Sequence, residues 1–135
     1  MNKKLNAIML IDDDSNINLY HRIIIQKIDI ADNIKVFQNG KLALDYLIKK
    51  NEEGQFPTPD LILLDINMPV MNGWEFLDHY KKLKKEQQNE ITIFILTSSM
   101  NYDDKEKASK NETVKEYLNK PLKTEVLKQL VEKYF

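Results

Sequence analysis

The sequence predicts an open α/β fold in which five strands alternate with five helices. Three observations predict it. Short apolar runs recur along the chain, separated by stretches with helical spacing. One run, Leu61-Ile62-Leu63-Leu64, is apolar at every position, as a strand buried on both faces of a parallel sheet must be. Reactive polar residues follow four of the five runs, at the sheet edge where such folds bind ligands.

The runs Ala7–Ile11, Ile34–Phe37, Leu61–Leu64, Ile91–Leu96 and Val114–Leu118 are the predicted strands. Between the first two, Ile17, Tyr20, Ile24 and Ile28 keep helical spacing after Asp14 and Ser15, either of which can cap the helix. Leu42, Ala43, Tyr46, Leu47 and Lys50 follow the turn signal Asn39-Gly40; Trp74, Leu77, Tyr80 and Leu83 follow Asn72-Gly73. The fourth helix, Asp103 to Asn111, offers only Ala108 as an apolar residue and should pack lightly. Val126, Leu127, Leu130, Val131 and Tyr134 form the last helix, after Pro121. Alternation of this kind implies right-handed crossovers and helices on both faces of the sheet.

A length of 135 residues suits one domain. With 42% hydrophobic and 30% charged residues, the chain has ordinary globular composition and can bury a two-sided core. The net charge of −1 provides no field for nucleic acid or membrane, and Arg22 is the only arginine, which further disfavours base readout. Cysteine is absent, excluding disulfides, thiol chemistry and cysteine-based zinc sites. The first apolar run ends in three aspartates, so it is neither a signal peptide nor a membrane span. A cytoplasmic setting is expected.

The first strand leads into Asp12-Asp13-Asp14, the third into Asp65, the fourth into Thr97-Ser98-Ser99 and the fifth into Lys120-Pro121. Carboxylates gathered within a few ångströms repel one another, and a hard divalent cation such as Mg²⁺ relieves this. A carboxylate beside such a cation can attack a phosphoryl group and become an acyl phosphate. An ammonium and a hydroxyl nearby suit the charge that develops on the phosphoryl oxygens.

With these residues the sequence resembles the receiver domain of two-component response regulators, of the single-domain chemotaxis type, over essentially its whole length. The acidic pair matches Asp12-Asp13. The segment Asp-x-x-Met-Pro-x-Met-x-Gly stands intact as Asp65-Ile66-Asn67-Met68-Pro69-Val70-Met71-Asn72-Gly73. Thr97 matches the switch threonine, Tyr117 the switch aromatic and Lys120-Pro121 the Lys-Pro pair; Ser98 stands where the family usually has Ala or Gly. The resemblance implies a flavodoxin-like sheet of order 2-1-3-4-5 and a phosphorelay switch without an output domain. Asp65 would be phosphorylated by a histidine kinase or histidine phosphotransfer protein. Asp13, Asp65 and the Asn67 carbonyl would ligate Mg²⁺, with Asp12 assisting through water. The signal would leave by contact with a downstream protein through the fourth helix, fifth strand and fifth helix, a face within residues 100–135 that could also form a phosphorylation-dependent dimer.

Other readings are weaker. An EF-hand loop at Asp12-x-Asp14-x-Asn16 fails because Ile17 and Ile23 stand where Gly and Glu are needed. A flavodoxin would not place an acidic loop without Gly against a flavin phosphate. A haloacid-dehalogenase-type phosphatase also begins with Asp-x-Asp. However, Asn16 stands where that family has Thr or Val, and the acidic residues beyond Lys110 are isolated. Turnover of a generic phosphomonoester would identify it. A phosphorylation-independent binding module is disfavoured by the complete acidic set. Lys81, Lys82, Lys84 and Lys85 read as a solvated helix face, and His21 and His79, lacking metal-ligand spacing, are assigned no role.

Overall fold

The computed structural model describes residues 4–83 and 91–135. The strands are β1 (Leu5–Ile11), β2 (Ala31–Phe37), β3 (Leu61–Asp65), β4 (Thr92–Thr97) and β5 (Val114–Asn119). The helices are α1 (Ser15–Ile28), α2 (Gly40–Leu47), α3 (Gly73–Lys81), α4 (Tyr102–Ser109) and α5 (Thr124–Tyr134). The strands form one parallel sheet in the order β2-β1-β3-β4-β5. This is the expected flavodoxin-like arrangement.

Strand pleating sends alternate side chains to opposite faces, so the central strands feed two cores. Met9, Ile11, Ile62, Leu64, Ile93 and Ile95 pack with Ala43, Leu44 and Leu47 of α2, Phe76, Leu77 and Tyr80 of α3, and Ala108 of α4. On the other face Ile8, Leu10, Leu61, Leu63, Phe94 and Leu96 pack with Ile24 and Ile25 of α1 and Leu127, Leu130 and Val131 of α5. β3 is buried at every residue, as its unbroken apolar run required.

The helix starts follow from side-chain caps. The Asp14 carboxylate, not Ser15, accepts the Asn16 and Ile17 N–H groups at 2.9 and 3.3 Å. The two Asn-Gly pairs are helix starts as well as turn signals: Asn39 caps α2 and Asn72 caps α3, each with the glycine as first helical residue. Asn72 and Glu75 cap each other reciprocally, at 2.8 and 3.0 Å. Several boundaries differ from expectation. β2 starts at Ala31, because polar Asp32 and Asn33 hide its first half from a hydrophobicity pattern. α2 ends at Leu47 and α3 at Lys81, leaving Lys50 and Leu83 beyond them. α4 begins and ends earlier than Asp103–Asn111, because Asn101 accepts the Asp104 N–H at 2.8 Å and fixes its start.

As expected, α4 buries only Ala108. Part of its attachment is polar: the Trp74 indole N–H donates to Asp104 at 3.2 Å, and the Lys107 ammonium lies 4.8 Å from the Trp74 ring centroid. Lys81 and Lys82 are exposed, while Lys84 and Lys85 lie outside the described residues. Among the described residues, no helix is long and apolar enough to cross a membrane.

Candidate functional site

The parallel sheet carries every predicted reactive group to the carboxyl ends of its strands. Asp12 immediately follows β1, Asp65 is the last residue of β3, Thr97 the last of β4, and Lys120 immediately follows β5. Strand pairing sets their relative height, with Asp65 opposite Leu96 and Thr97 opposite Asn119.

Asp12, Asp13 and Asp65 each bring a carboxylate oxygen to within 4.8 Å of the others. Asp12 and Asp65 are buried, at 4% and 3% exposure, whereas Asp13 faces solvent. The Lys120 ammonium bridges the buried pair, 3.0 Å from Asp12 and 3.2 Å from Asp65. Burial works against its charge, but Asp12 and Asp65 outweigh burial and raise its pKa. Burial also pushes the Asp65 carboxyl up to about 6; Asp12 adds to the rise and Lys120 opposes it.

When all three carboxylates are ionised, the Lys120 ammonium that bridges two of them leaves the cluster with two net negative charges. That donor set, all hard oxygen with one member open to solvent, fits a divalent cation such as Mg²⁺. Receiver domains bind Mg²⁺ at an acidic cluster of this kind.

The sequence explains the local backbone. Asn67 N–H donates to Asp65 at 3.4 Å, and Gly73 N–H closes the loop onto the Ile66 carbonyl at 2.7 Å. A Cβ at Gly73 would lie 2.6 Å from the Asp65 carbonyl oxygen and 2.9 Å from the Ile66 Cα, so only glycine fits the end of the Asp65–Gly73 motif. Within this loop Val70 adopts φ +69°, and Met71 N–H bonds the Pro69 carbonyl at 2.7 Å. Positive φ is strained for a β-branched residue.

Thr97 is fully buried, and its hydroxyl is engaged with Ser99, donating to the carbonyl at 3.2 Å and accepting the N–H at 3.1 Å. Tyr117 is half-buried against the core that includes Ala108, and its hydroxyl has no hydrogen-bond partner among the described residues. It lies opposite Ile95, two residues before the level of Thr97. An open groove of about 350 Å³ runs between α4 and β5, lined by Lys105, Ala108, Ser109, Lys115 and Tyr117.

Two buried polar residues of α1 escaped the sequence reading as parts of the site. The Asn18 amide donates to the Asp12 carbonyl at 2.8 Å. His21 Nε2 accepts the Leu122 N–H at 3.0 Å, two residues beyond Lys120. Both lie at helical spacing on the inner face of α1, the one available sign that they are buried. His79 is exposed.

The receiver domain of response regulators matches residues 8–132 of the chain. A probable methanogenesis regulatory protein of Methanothrix harundinacea, FilR2, is 34% identical over 125 residues, covering 93% of this chain and 78% of its own. Sporulation initiation phosphotransferase F of Bacillus subtilis is 31% identical over 136 residues, covering 99% and 94%. Other relatives are longer, and the chain spans only 24% of one and 20% of another; in such relatives enzyme activity belongs to fused domains. The crystal structure of a two-component response regulator from Cytophaga hutchinsonii superposes with a TM-score of 0.86 at 32% identity, covering 97% of both chains. The fold, the acidic recess at the strand ends and these relatives together make the chain a member of the response regulator receiver domain family, a signalling switch of two-component phosphorelays.

Proposed function

We propose that Asp65 is the phosphoacceptor of this switch and that Asp12, Asp13, Asn67, Thr97 and Lys120 serve its phosphorylation. The observation that carries the reading is the convergence of three carboxylates within 4.8 Å, two of them bridged by the Lys120 ammonium. Receiver domains take phosphoryl groups from histidine kinases or phosphotransfer proteins. An Asp65 carboxylate oxygen attacks phosphorus, the bond from phosphorus to the donor histidine breaks, and the imidazole nitrogen leaves with its electron pair. Asp65 attacks as the ionised carboxylate, a form that burial and Asp12 disfavour and Lys120 favours.

Asp12, Asp13, Asp65 and the Asn67 carbonyl would hold Mg²⁺, which when bound neutralises charge on phosphoryl oxygens. Lys120, already beside Asp65, supplies a fixed cation to the same oxygens. The chain thereby assists its own phosphorylation and, by the same groups, its hydrolysis. The Thr97 hydroxyl exchanges its bonds with Ser99 for a phosphoryl oxygen. Its movement opens space beneath α4 for Tyr117, whose buried hydroxyl has no hydrogen-bond partner among the described residues. The lightly packed α4 shifts at small cost, since a coupling of about 1–3 kcal/mol redistributes two states substantially. The α4–β5–α5 face, within residues 100–135, then meets the downstream protein or a second copy. This reading implies a cytoplasmic setting.

Incubation with acetyl phosphate and Mg²⁺ should add one phosphoryl group, resolved by mass, and Asp65→Asn should take none. Equal labelling of the variant would mean that Asp65 is not the acceptor.

A further inference from the structure

His21 is 2% exposed on the inner face of α1, and its Nε2 accepts the Leu122 backbone N–H at 3.0 Å. Leu122 is itself 2% exposed, so this donor needs a protein acceptor. A neighbouring helix offers few, because its carbonyls are spent within it. A neutral imidazole can supply one, and burial followed by the nearby Lys120 charge keeps His21 neutral by lowering its pKa to about 4.

The bond falls at a telling place. In Lys120-Pro121-Leu122 the proline has no N–H, leaving one backbone donor at each end. The Lys120 N–H reaches back to the Thr97 carbonyl of β4 at 2.8 Å, and the Leu122 N–H reaches across to His21 of α1. The segment is thus held from both sides while the Lys120 ammonium spans Asp12 and Asp65. One turn earlier on α1, Asn18 holds the Asp12 carbonyl at 2.8 Å. One face of α1 therefore braces both members of the Asp12–Lys120 pair.

We infer that His21 is a positioning residue for Lys120, fixing the segment after β5 so that the ammonium lies between Asp12 and Asp65. The inference rests on the reading of Lys120 as a phosphorylation group. It makes His21 part of the reaction through another residue, beyond being a satisfied core histidine.

The test is phosphorylation of the full chain by acetyl phosphate at saturating Mg²⁺, combined with the ¹⁵Nζ resonance of Lys120. His21→Leu removes the acceptor, His21→Asn stops short of Leu122, and His21→Gln places an oxygen near the position of Nε2. His21→Leu and His21→Asn should slow phosphorylation about tenfold or more, the usual result of misplacing a reacting group. His21→Gln should recover to within about threefold of wild type, and His21→Leu combined with Lys120→Ala should be no slower than Lys120→Ala alone. The Lys120 resonance should move in the Leu and Asn variants and return in Gln. Losses that multiply, a wild-type rate in His21→Leu, or an unmoved Lys120 resonance would each overturn the inference. If His21→Leu does not fold, His21→Asn against His21→Gln decides alone. If Lys120→Ala itself reacts at the wild-type rate, the reading of Lys120 fails, and the resonance still decides whether His21 positions it.

Discussion

Acidification should weaken the fold through His21 by an amount set by its burial. Burial first, and the Lys120 ammonium second, lower its pKa from 6.5 to about 4. The unfolded chain protonates at the ordinary value, so from 6.5 down to about 4 it holds more protons than the folded chain. Stability from this group is complete above pH 6.5 and is lost as the pH falls through that interval. The full loss is about 3 kcal/mol, of which about 2 kcal/mol is reached near pH 5. Against a typical total of about 5–15 kcal/mol, this is a large fraction. Asp65 acts with the opposite sign, because its pKa is raised from 3.8 to about 6 and its folded form takes up protons first. A wild-type curve alone therefore mixes two effects. Urea unfolding of wild type and His21→Gln, compared over roughly pH 5 to 8, cancels the Asp65 contribution. The stability advantage of wild type should shrink by about 2 kcal/mol from the neutral to the acid end. An advantage independent of pH would refute the argument that His21 is held neutral by burial.

Gly73→Ala forces a Cβ against the Asp65 carbonyl at 2.6 Å. It should cost about 1–3 kcal/mol in urea unfolding and also slow acetyl phosphate labelling, because Asp65 must move; an unchanged labelling rate would contradict this. Trp74→Phe removes the bond to Asp104 and weakens the Lys107 contact, so amide exchange across α4 should accelerate by about fivefold, equivalent to roughly 1 kcal/mol. Exchange at the wild-type rate would mean that the indole does not hold α4. Val70→Asn relaxes a β-branched residue at φ +69° and should raise stability by about 1 kcal/mol, and a loss instead would show that the loop is unstrained.

Much of the site was legible because its parts sit at strand ends. Once the apolar runs are aligned as parallel strands, Asp12, Asp65, Thr97 and Lys120 must share an edge. The motif from Asp65 to Gly73 fixes which aspartate opens the loop. Side-chain caps were partly legible: Asp14 was one of two candidates, whereas Asn39 and Asn72 read first as turn residues. The same local hydrogen bonds serve both roles, and only the continuing helix separates them.

His21 and Asn18 were not legible as parts of the site. A pattern marks them as inward-facing but cannot say what a buried polar group meets. His21 bonds a backbone group 101 residues away, and Lys120 reaches Asp12 across 108 residues. Equally hidden were the resting bonds of the Thr97 hydroxyl with Ser99 and a Tyr117 hydroxyl with no hydrogen-bond partner among the described residues. By itself the sequence determined the strand and helix alternation, the two-sided core and which polar residues stand at the strand ends, because periodicity, capping and motif spacing are local properties. Only the tertiary structure decided that one ammonium bridges two buried carboxylates and that α1 braces the loop carrying it. Those are distances between segments far apart in the chain, fixed by how the sheet and its helices pack.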